Sequence, residues 1–371
     1  MAKKFLCTDG GVKRQKGQQL LALFFVSAAC NAGAQGVAYL EAESLATAGQ
    51  LKAQHWLPEK LEPNSRQTGA VLRVDAGLAL RTERAEWWLG QTRQAYFQGN
   101  SNALLLAAQD EVGQTLDLNR PGYFGINAQT WTLNASVLGL GYRQDVLDTL
   151  QLGKLEVEWR PHFLKIHDYQ HSQAEFRLNN STNTNHLTGR LLRDGTRNYG
   201  FLVNEKPDLG WGAGLDLKAH WQLASGTLAL DARNLLSYLR FSTLHTSRRT
   251  YQVDAIAGEL QVSDVPSLSG DYGWRAKTER LPLVWQLNWQ PAAIAGLQPG
   301  LMGVGAVTRW RLRYGQAWGN QEWWVQTVQT DNWSVGVQGK WPPHFSWRLE
   351  LSTDRRLAAP VLSSLRLRYD W

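Results

Sequence analysis

The sequence predicts an all-β fold, a transmembrane antiparallel β-barrel of about 14 strands, within a range of about 12 to 16. Three observations predict it: apolar and polar residues alternate along much of the chain, some alternating runs are long, and tryptophans bracket them. Because successive side chains of a strand point to opposite faces, the alternation gives each strand one apolar and one polar face. A barrel in a membrane turns the apolar face outward to lipid.

The longest alternating run covers residues 302–314 and is predicted to be one strand. Its apolar face includes Met302, Val304 and Trp310, and its polar face includes Arg311. Strands of soluble proteins average about 5–6 residues, so this length favours a barrel over a soluble sandwich. Shorter alternating runs predict further strands at residues 72–81, 131–137, 155–160, 213–223, 228–233, 281–289, 333–341 and 345–352.

Tryptophan placement in one run also favours a membrane barrel. Trp333 and Trp341 share a face and bracket Val335, Val337 and Gly339. Eight residues of a strand tilted by about 40° climb about 21 Å, which is close to the height of the apolar band between two interfacial aromatic girdles. The two tryptophans are therefore predicted to mark the two edges of the lipid-facing belt.

The first 34 residues have the layout of a secretory signal peptide. A basic stretch precedes the apolar run 20–30, which is too short to span a bilayer, and Ala32-Gly33-Ala34 fits a small-x-small cleavage site. Lipidation of Cys30 is the alternative. The predicted organisation is a signal peptide at residues 1–34, an N-terminal segment at residues 35–69 that is periplasmic or plugs the barrel, and the barrel at residues 70–371.

Removal of the signal peptide changes the charge of the chain. Five of the 39 basic residues and one of the 32 acidic residues precede Gln35, so the formal net charge falls from +7 to +3. This small excess does not indicate a nucleic-acid partner.

Both cysteines, Cys7 and Cys30, lie in the predicted signal peptide, so the mature chain has no disulfide and no thiolate ligand. We expect no cofactor and no bound metal.

The last nine residues, SSLRLRYDW, form one more alternating run. Four residues share its apolar face: Leu365, Leu367, Tyr369 and Trp371. The run resembles the C-terminal signature of Gram-negative outer-membrane β-barrel proteins, in which a terminal aromatic residue preceded by alternating apolar residues is read by the barrel assembly machinery. The resemblance implies an outer-membrane location, contact with lipid, and these four residues as the assembly signal.

The polar faces of the strands are expected to line the lumen. In the last strands they form a predicted basic wall of Arg309, Arg311, Arg313, Lys340, Arg348, Arg366 and Arg368, among which lie the acids Glu350 and Asp370. The predicted opposing acids in earlier strands are Glu156, Glu158, Asp216 and Asp231. A basic wall in a water-filled lumen favours anions. In the alternative interpretation, the same side chains pair with one another and fill a narrow, closed barrel.

These features predict a porin-like channel or transporter for small anionic solutes. The main alternative is a non-conducting barrel that anchors or assists an envelope machine for secretion, pilus assembly or conjugation. Residues 210–223, GWGAGLDLKAHWQL, resemble a strand of fatty-acid-transporter-like barrels and their relatives in conjugation and secretion systems.

An enzyme is the third alternative; however, His167 and His171 would lie about 14 Å apart on a strand, too far to share one metal ion. We therefore expect no enzymatic activity.

Overall fold

The computed structural model describes residues 35–46, 67–103, 122–149, 153–180, 184–196, 210–256, 269–328, 332–341, 344–354 and 361–371. The predicted signal peptide and Cys30 lie outside these residues. The strands are β1 (Gln35–Ala46), β2 (Gln67–Arg81), β3 (Ala85–Asn100), β4 (Gly122–Thr149), β5 (Gly153–Asn180), β6 (Thr184–Gly195), β7 (Trp211–Leu223), β8 (Gly226–Ile256), β9 (Ser269–Glu279), β10 (Val284–Pro291), β11 (Leu297–Val304), β12 (Val307–Trp318), β13 (Gln321–Val328), β14 (Asn332–Trp341), β15 (Phe345–Asp354) and β16 (Val361–Asp370). In the described part of the chain, no helix has the length and apolarity needed to cross a membrane.

Fourteen of these strands close into a ring. Around the ring, β1 to β5 are followed by β7, β8 and β10 to β16, and β16 pairs with β1. All pairings are antiparallel, so the predicted fold class and strand number are confirmed. Closure pairs the backbone groups of every strand with a neighbour, which a sheet in lipid requires because lipid offers no hydrogen-bond partner.

The seam between β1 and β16 brings the two ends of the described chain together. The backbone amide of Gly36 donates to the carbonyl oxygen of Trp371 (3.1 Å), and the amide of Trp371 donates to the carbonyl oxygen of Gly36 (2.9 Å). We call this end of the barrel the terminal end and the opposite end the outer end. β1 is therefore part of the barrel wall, and the predicted boundary at residue 70 is corrected, because residues 35–46 form a wall strand instead of a separate segment.

One side of the barrel is much taller than the other. β5 has 28 residues and β8 has 31, whereas β14 has 10. At about 3.3 Å per residue and a tilt of about 40°, β5 rises about 70 Å and β14 about 25 Å, which is the height of a lipid-facing belt. Near the terminal end β5 pairs with β7, while its outer half pairs with β6; the outer half of β8 pairs with β6 and β9. We call these outer parts of β3 to β6, β8 and β9 the tall wall.

The outward surface of the ring carries the predicted lipid-facing belt. Trp333 and Trp341 both point outward and are 45% and 73% exposed, as their spacing predicted. Other exposed aromatic residues form a girdle near the terminal end: Trp87, Tyr142, Trp159, Trp318, Tyr369 and Trp371. Towards the outer end, the Trp211 ring lies 6.2 Å from that of Phe163 and 5.8 Å from that of Tyr238. The belt thus lies between two aromatic girdles, an arrangement typical of outer-membrane barrels.

The predicted single strand at residues 302–314 is wrong. β11 ends at Val304, a turn follows at Gly305 and Ala306, and β12 begins at Val307. Met302 is the partner of Arg309 and therefore shares its inward face, although the continuous alternation placed it on the lipid face with Trp310. Even-numbered residues therefore point inward in β11 and outward in β12, because the two-residue turn exchanges the two faces. A side-chain assignment that ignores such a turn places every residue on one side of it on the wrong face.

Candidate functional site

The lumen contains three layers that differ in chemistry. Nearest the terminal end lies a layer of charged side chains, above it an apolar layer, and above that a polar cluster on the inner face of the tall wall. These layers are the candidate functional site because they decide whether a solute can pass through the barrel.

Most residues of the predicted basic wall bind a carboxylate beside them. Arg313 pairs with Glu322 (2.9 Å), Arg348 with Glu350 (2.9 Å), Arg366 with Glu41 (3.0 Å) and Arg368 with Asp370 (2.7 Å). Arg311 instead donates to the amide oxygens of Gln286 (2.9 Å) and Asn288 (2.7 Å). Arg309 donates to the carbonyl oxygen of Gln67 (2.6 Å), and Lys340 is exposed.

Three of the four predicted opposing acids are paired with an arginine on the same strand or an adjacent one. Glu156 binds Arg143 (2.9 Å), Glu158 lies 3.3 Å from Arg160, and Asp231 lies 3.5 Å from Arg233. Asp216 accepts a hydrogen bond from the backbone amide of Asn234 (2.8 Å) and lies 4.0 Å from Arg73. Because opposite charges alternate within each wall, much of the field expected between the two walls is cancelled at short range. The selectivity role of these residues stays a prediction.

Several contacts cross the lumen directly. Arg233 of β8 binds Glu43 of β1 (2.7 Å), and the amide of Gln286 on β10 donates to the same carboxylate (3.3 Å). A round ring of 14 strands spaced about 4.8 Å apart and tilted by about 40° is about 28 Å across. Nevertheless, Cα atoms of β2 lie within 8 Å of Cα atoms of β11 and β12, which face it across the ring. The barrel is therefore flattened, and opposite walls touch.

An apolar layer fills the flattened part of the lumen. Its members are buried and come from both sides of the ring: Val71, Tyr96, Trp131, Leu133, Ala135, Leu164, Ile166, Tyr169, Leu239, Phe241, Leu244, Leu281, Val284 and Val304. Asn234, in a three-residue bulge of β8 with φ of 55°, lies beside this layer and donates to the hydroxyl of Tyr96 (2.8 Å). Packed apolar side chains leave no room for water, so the described residues close the lumen at this level.

The β11–β12 hairpin forms part of this closure. Its tip leans across the lumen, where the amide of Gln98 on β3 donates to the carbonyl oxygen of Val304 (3.0 Å). Gly305 has a φ of +57°, which favours glycine. A Cβ on this residue would lie 1.5 Å from the same amide nitrogen, so a side chain here fits only when the end of the Gln98 side chain moves aside or is removed. Side-chain bonds and packing, and not a strand ladder, hold this tip against the facing wall.

Two tryptophans in the lumen were missed by the sequence analysis. Trp324 lies flat over Gly336, where a Cβ would be 2.1 Å from the indole, and the guanidinium groups of Arg313 and Arg348 lie 4.2 and 4.7 Å from its ring centre. Trp88 repeats the arrangement over Gly139, with the Arg160 guanidinium 4.4 Å away. Each indole covers a glycine on the neighbouring strand and binds arginine through cation–π contact.

The polar cluster on the tall wall includes His171, one of the two histidines considered in the sequence as candidate metal ligands. Ligand atoms of His171, Asp194 and Glu279 lie within 4.8 Å of one another, a distance that allows a shared metal ion. However, the Lys277 ammonium contacts both carboxylates, at 2.5 Å from Glu279, and thereby neutralises the charge a cation would bind. The cluster ties β9 to β6 and β5. Sequence spacing did not indicate it, because its members lie on three strands.

The residues of the predicted assembly signal all face outward. Leu365, Leu367 and Tyr369 follow β16 down the lipid-facing surface, and Trp371 lies beyond them at the seam. The Tyr369 ring stacks on that of Trp371 with centres 6.3 Å apart, and the Trp371 indole covers Gly36. The structure thus gives these side chains a lipid-facing position; their recognition by assembly machinery stays a prediction.

Comparison with known proteins identifies no family. No protein-family model matches the chain, and no curated protein sequence matches it. Among solved structures, it is similar to the translocator domain of the autotransporter NalP from Neisseria meningitidis (11% identity, 96% of this chain and 95% of that one, TM-score 0.30). It is also similar to a deltaS2 mutant of the TodX monoaromatic hydrocarbon channel (10% identity, 91% and 87%, TM-score 0.34). The closed ring and its lipid-facing belt show an outer-membrane type of β-barrel.

Proposed function

We propose that the protein is an outer-membrane transport barrel for small anionic solutes that is closed in the conformation described here. The observation that carries this proposal is the β11–β12 hairpin tip, which helps to close the lumen at the apolar layer and is held against the facing wall by the Gln98 side chain. Such a closure opens without breaking the strand ladder of the barrel wall, whereas a barrel sealed by its backbone cannot open. The charged layer below the closure would then line the path of the solute.

The preference for anions rests on the part of the basic wall that carboxylates do not neutralise directly. Arg311 binds two amide oxygens, which carry no net charge, and Lys340 is exposed in the same half of the barrel. In an open, hydrated lumen these cations would raise the local concentration of anions. The lipid-facing belt and the aromatic residues of β16 support the outer membrane of a Gram-negative bacterium as the location.

Releasing the hairpin is expected to open the barrel. The variant Gln98→Ala/Arg309→Ala removes the hydrogen bonds to Val304 and Gln67, so the open fraction in planar bilayers is expected to rise about 5-fold or more. The variant Gln98→Cys/Gly305→Cys is expected to form a disulfide that abolishes openings, and reduction should restore them. The control Gln144→Ala/Arg84→Ala changes exposed residues at the terminal end and should conduct like the parent.

If the released variant folds but is as silent as the parent, the transport proposal fails. Folding is checked by the shift in gel mobility on boiling and by β circular dichroism. If openings persist in the oxidised double-cysteine variant, a different part of the lumen forms the gate.

Neutralising Arg311 is expected to weaken the preference for anions. In a salt gradient across the bilayer, the reversal potential of Arg311→Gln, measured in the released background, should move towards zero or towards cation preference. Glutamine retains hydrogen-bonding capacity near Gln286 and Asn288, so loss of charge is the main change. Lys165→Gln, which removes an exposed charge from the outward face of β5, should leave the reversal potential unchanged.

A non-conducting anchor is the second candidate, and the tall wall is the observation that favours it. β5 and β8 rise far beyond the lipid-facing belt, and such a surface suits the binding of a partner protein of an envelope machine. Silence of every variant in the bilayer, together with a partner that co-purifies with the parent and is lost when the tall wall is shortened, would favour this candidate. The absence of enzymatic activity stays a prediction.

A further inference from the structure

The outward surface of the tall wall carries exposed cations immediately beyond the aromatic girdle. Lys165 on β5 and Arg240 on β8 are the two cross-strand partners of Trp211, so all three side chains share one face. The Trp211 ring packs with those of Phe163 and Tyr238, which are exposed on the lipid-facing surface. Lys165 and Arg240 therefore flank a girdle tryptophan at the upper edge of the belt.

Three more cations extend this surface. Arg93 on β3 pairs with Asn134 of β4, which in turn pairs with Asp168 of β5. Arg193 on β6 lies between its two cross-strand partners, Ser172 and Ser247. Arg249 follows Ser247 by two positions along β8 and therefore shares its face. Each therefore lies on the same outward face, and each is exposed. We call Arg93, Lys165, Arg193, Arg240 and Arg249 the outer basic patch.

Acidic side chains are scarce on this face. Among the described residues that point outward here, Asp168 is the one carboxylate, and it accepts a hydrogen bond from the hydroxyl of Thr196 (2.9 Å). The inner face of the same strands is different, because Arg177, Arg190 and Arg248 alternate there with Glu175 and Asp271. The outward face thus has an excess of positive charge that the inner face lacks.

We propose that the outer basic patch binds phosphate groups of the lipid headgroups around the outer end of the barrel. Aromatic girdles lie at the level of the headgroups, so Lys165 and Arg240, which flank Trp211, meet the phosphates of the adjacent leaflet. Arg193 and Arg249 extend the positive surface farther from the membrane. Arginine suits this role because its planar guanidinium forms paired hydrogen bonds with phosphate oxygens. Continuity with the lipid-facing belt favours a membrane lipid over a dissolved anion.

The test compares two charge-matched triple variants of the full chain. In Arg93→Gln/Lys165→Gln/Arg240→Gln the patch loses three cations, whereas Arg177→Gln/Arg190→Gln/Arg248→Gln removes three exposed cations from the inner face. Binding of lipid A carrying two phosphate groups to the detergent-solubilised barrel is measured by native mass spectrometry. We expect binding about 10-fold or more weaker for the patch variant and parental binding for the inner-face variant.

Two further arms identify the source of the phosphate. The parent should bind dephosphorylated lipid A as weakly as the patch variant does, and millimolar inorganic phosphate should not displace the intact lipid. The proposal is overturned if the patch variant binds like the parent, if both triple variants lose binding equally, or if inorganic phosphate displaces the lipid. Heat-modifiable gel mobility confirms that both variants are folded.

Discussion

Replacing Trp324 with alanine is expected to lower the free energy of unfolding by about 3–5 kcal/mol, the range for truncating a buried tryptophan. Trp324 is 2% exposed and fills the space between Gly336 and the guanidinium groups of Arg313 and Arg348. Alanine would leave a cavity and remove the cation–π contacts of both arginines. The loss is measured by guanidinium unfolding in detergent micelles, with tryptophan fluorescence and β circular dichroism as probes.

A tryptophan from the neighbouring strand provides the control. Trp318 closes β12, faces outward and is 81% exposed, so Trp318→Ala should change stability in micelles by less than about 0.5 kcal/mol. Equal losses for the two variants would mean that the indole of Trp324 does not hold the lumen together.

A double-mutant cycle sharpens this prediction. Gly336→Ala places a methyl group where the indole lies, 2.1 Å from it, so the single variant should also be destabilised. In the Trp324→Ala background the same methyl group partly fills the cavity, so the two losses should not add. Additive losses would show that the indole and Gly336 do not touch in solution.

The lipid-facing surface could be predicted from the sequence where no turn interrupts the alternation, because its signal is local. Alternation places Trp333 and Trp341 on one face at a spacing that matches the belt, and the structure confirms both. The strand β1 was missed because its inward face mixes apolar and acidic residues, as in Tyr39 and Glu41, and LEAESLA also fits the pattern of a short helix.

The lumen could be predicted only in part, although one local signal was available. Trp87-Trp88 and Trp323-Trp324 are adjacent pairs, and successive residues of a strand point to opposite faces, so one tryptophan of each pair must face inward. The cross-lumen contacts, such as Glu43 with Arg233, have no such signal. They depend on how far the ring is flattened, which is a property of the closed barrel and of no single strand.

The variant Tyr369→Ser/Trp371→Ser is expected to block assembly in cells while leaving the purified barrel able to refold. Both side chains face outward and are about half exposed, at 48% and 41%, so their loss removes little packing inside the protein. The hydrogen bonds between the Gly36 and Trp371 backbones do not need the indole and should persist. The fraction assembled is measured in outer-membrane extracts by heat-modifiable mobility and by resistance to protease.

The control separates recognition of the C-terminal signal from the stability that any lipid-facing aromatic residue contributes. Trp333→Ser/Trp341→Ser removes two outward tryptophans from β14, which costs at least as much lipid-facing aromatic surface. If Tyr369 and Trp371 are read by assembly machinery, the β16 variant should accumulate as unassembled, degraded chain. Its assembled fraction should be about 10-fold or more below that of the β14 variant. Both purified variants should refold in detergent. That factor corresponds to about 1.4 kcal/mol, more than a partly exposed girdle residue is expected to contribute. Equal assembly of the two variants would show that these residues act in lipid contact alone.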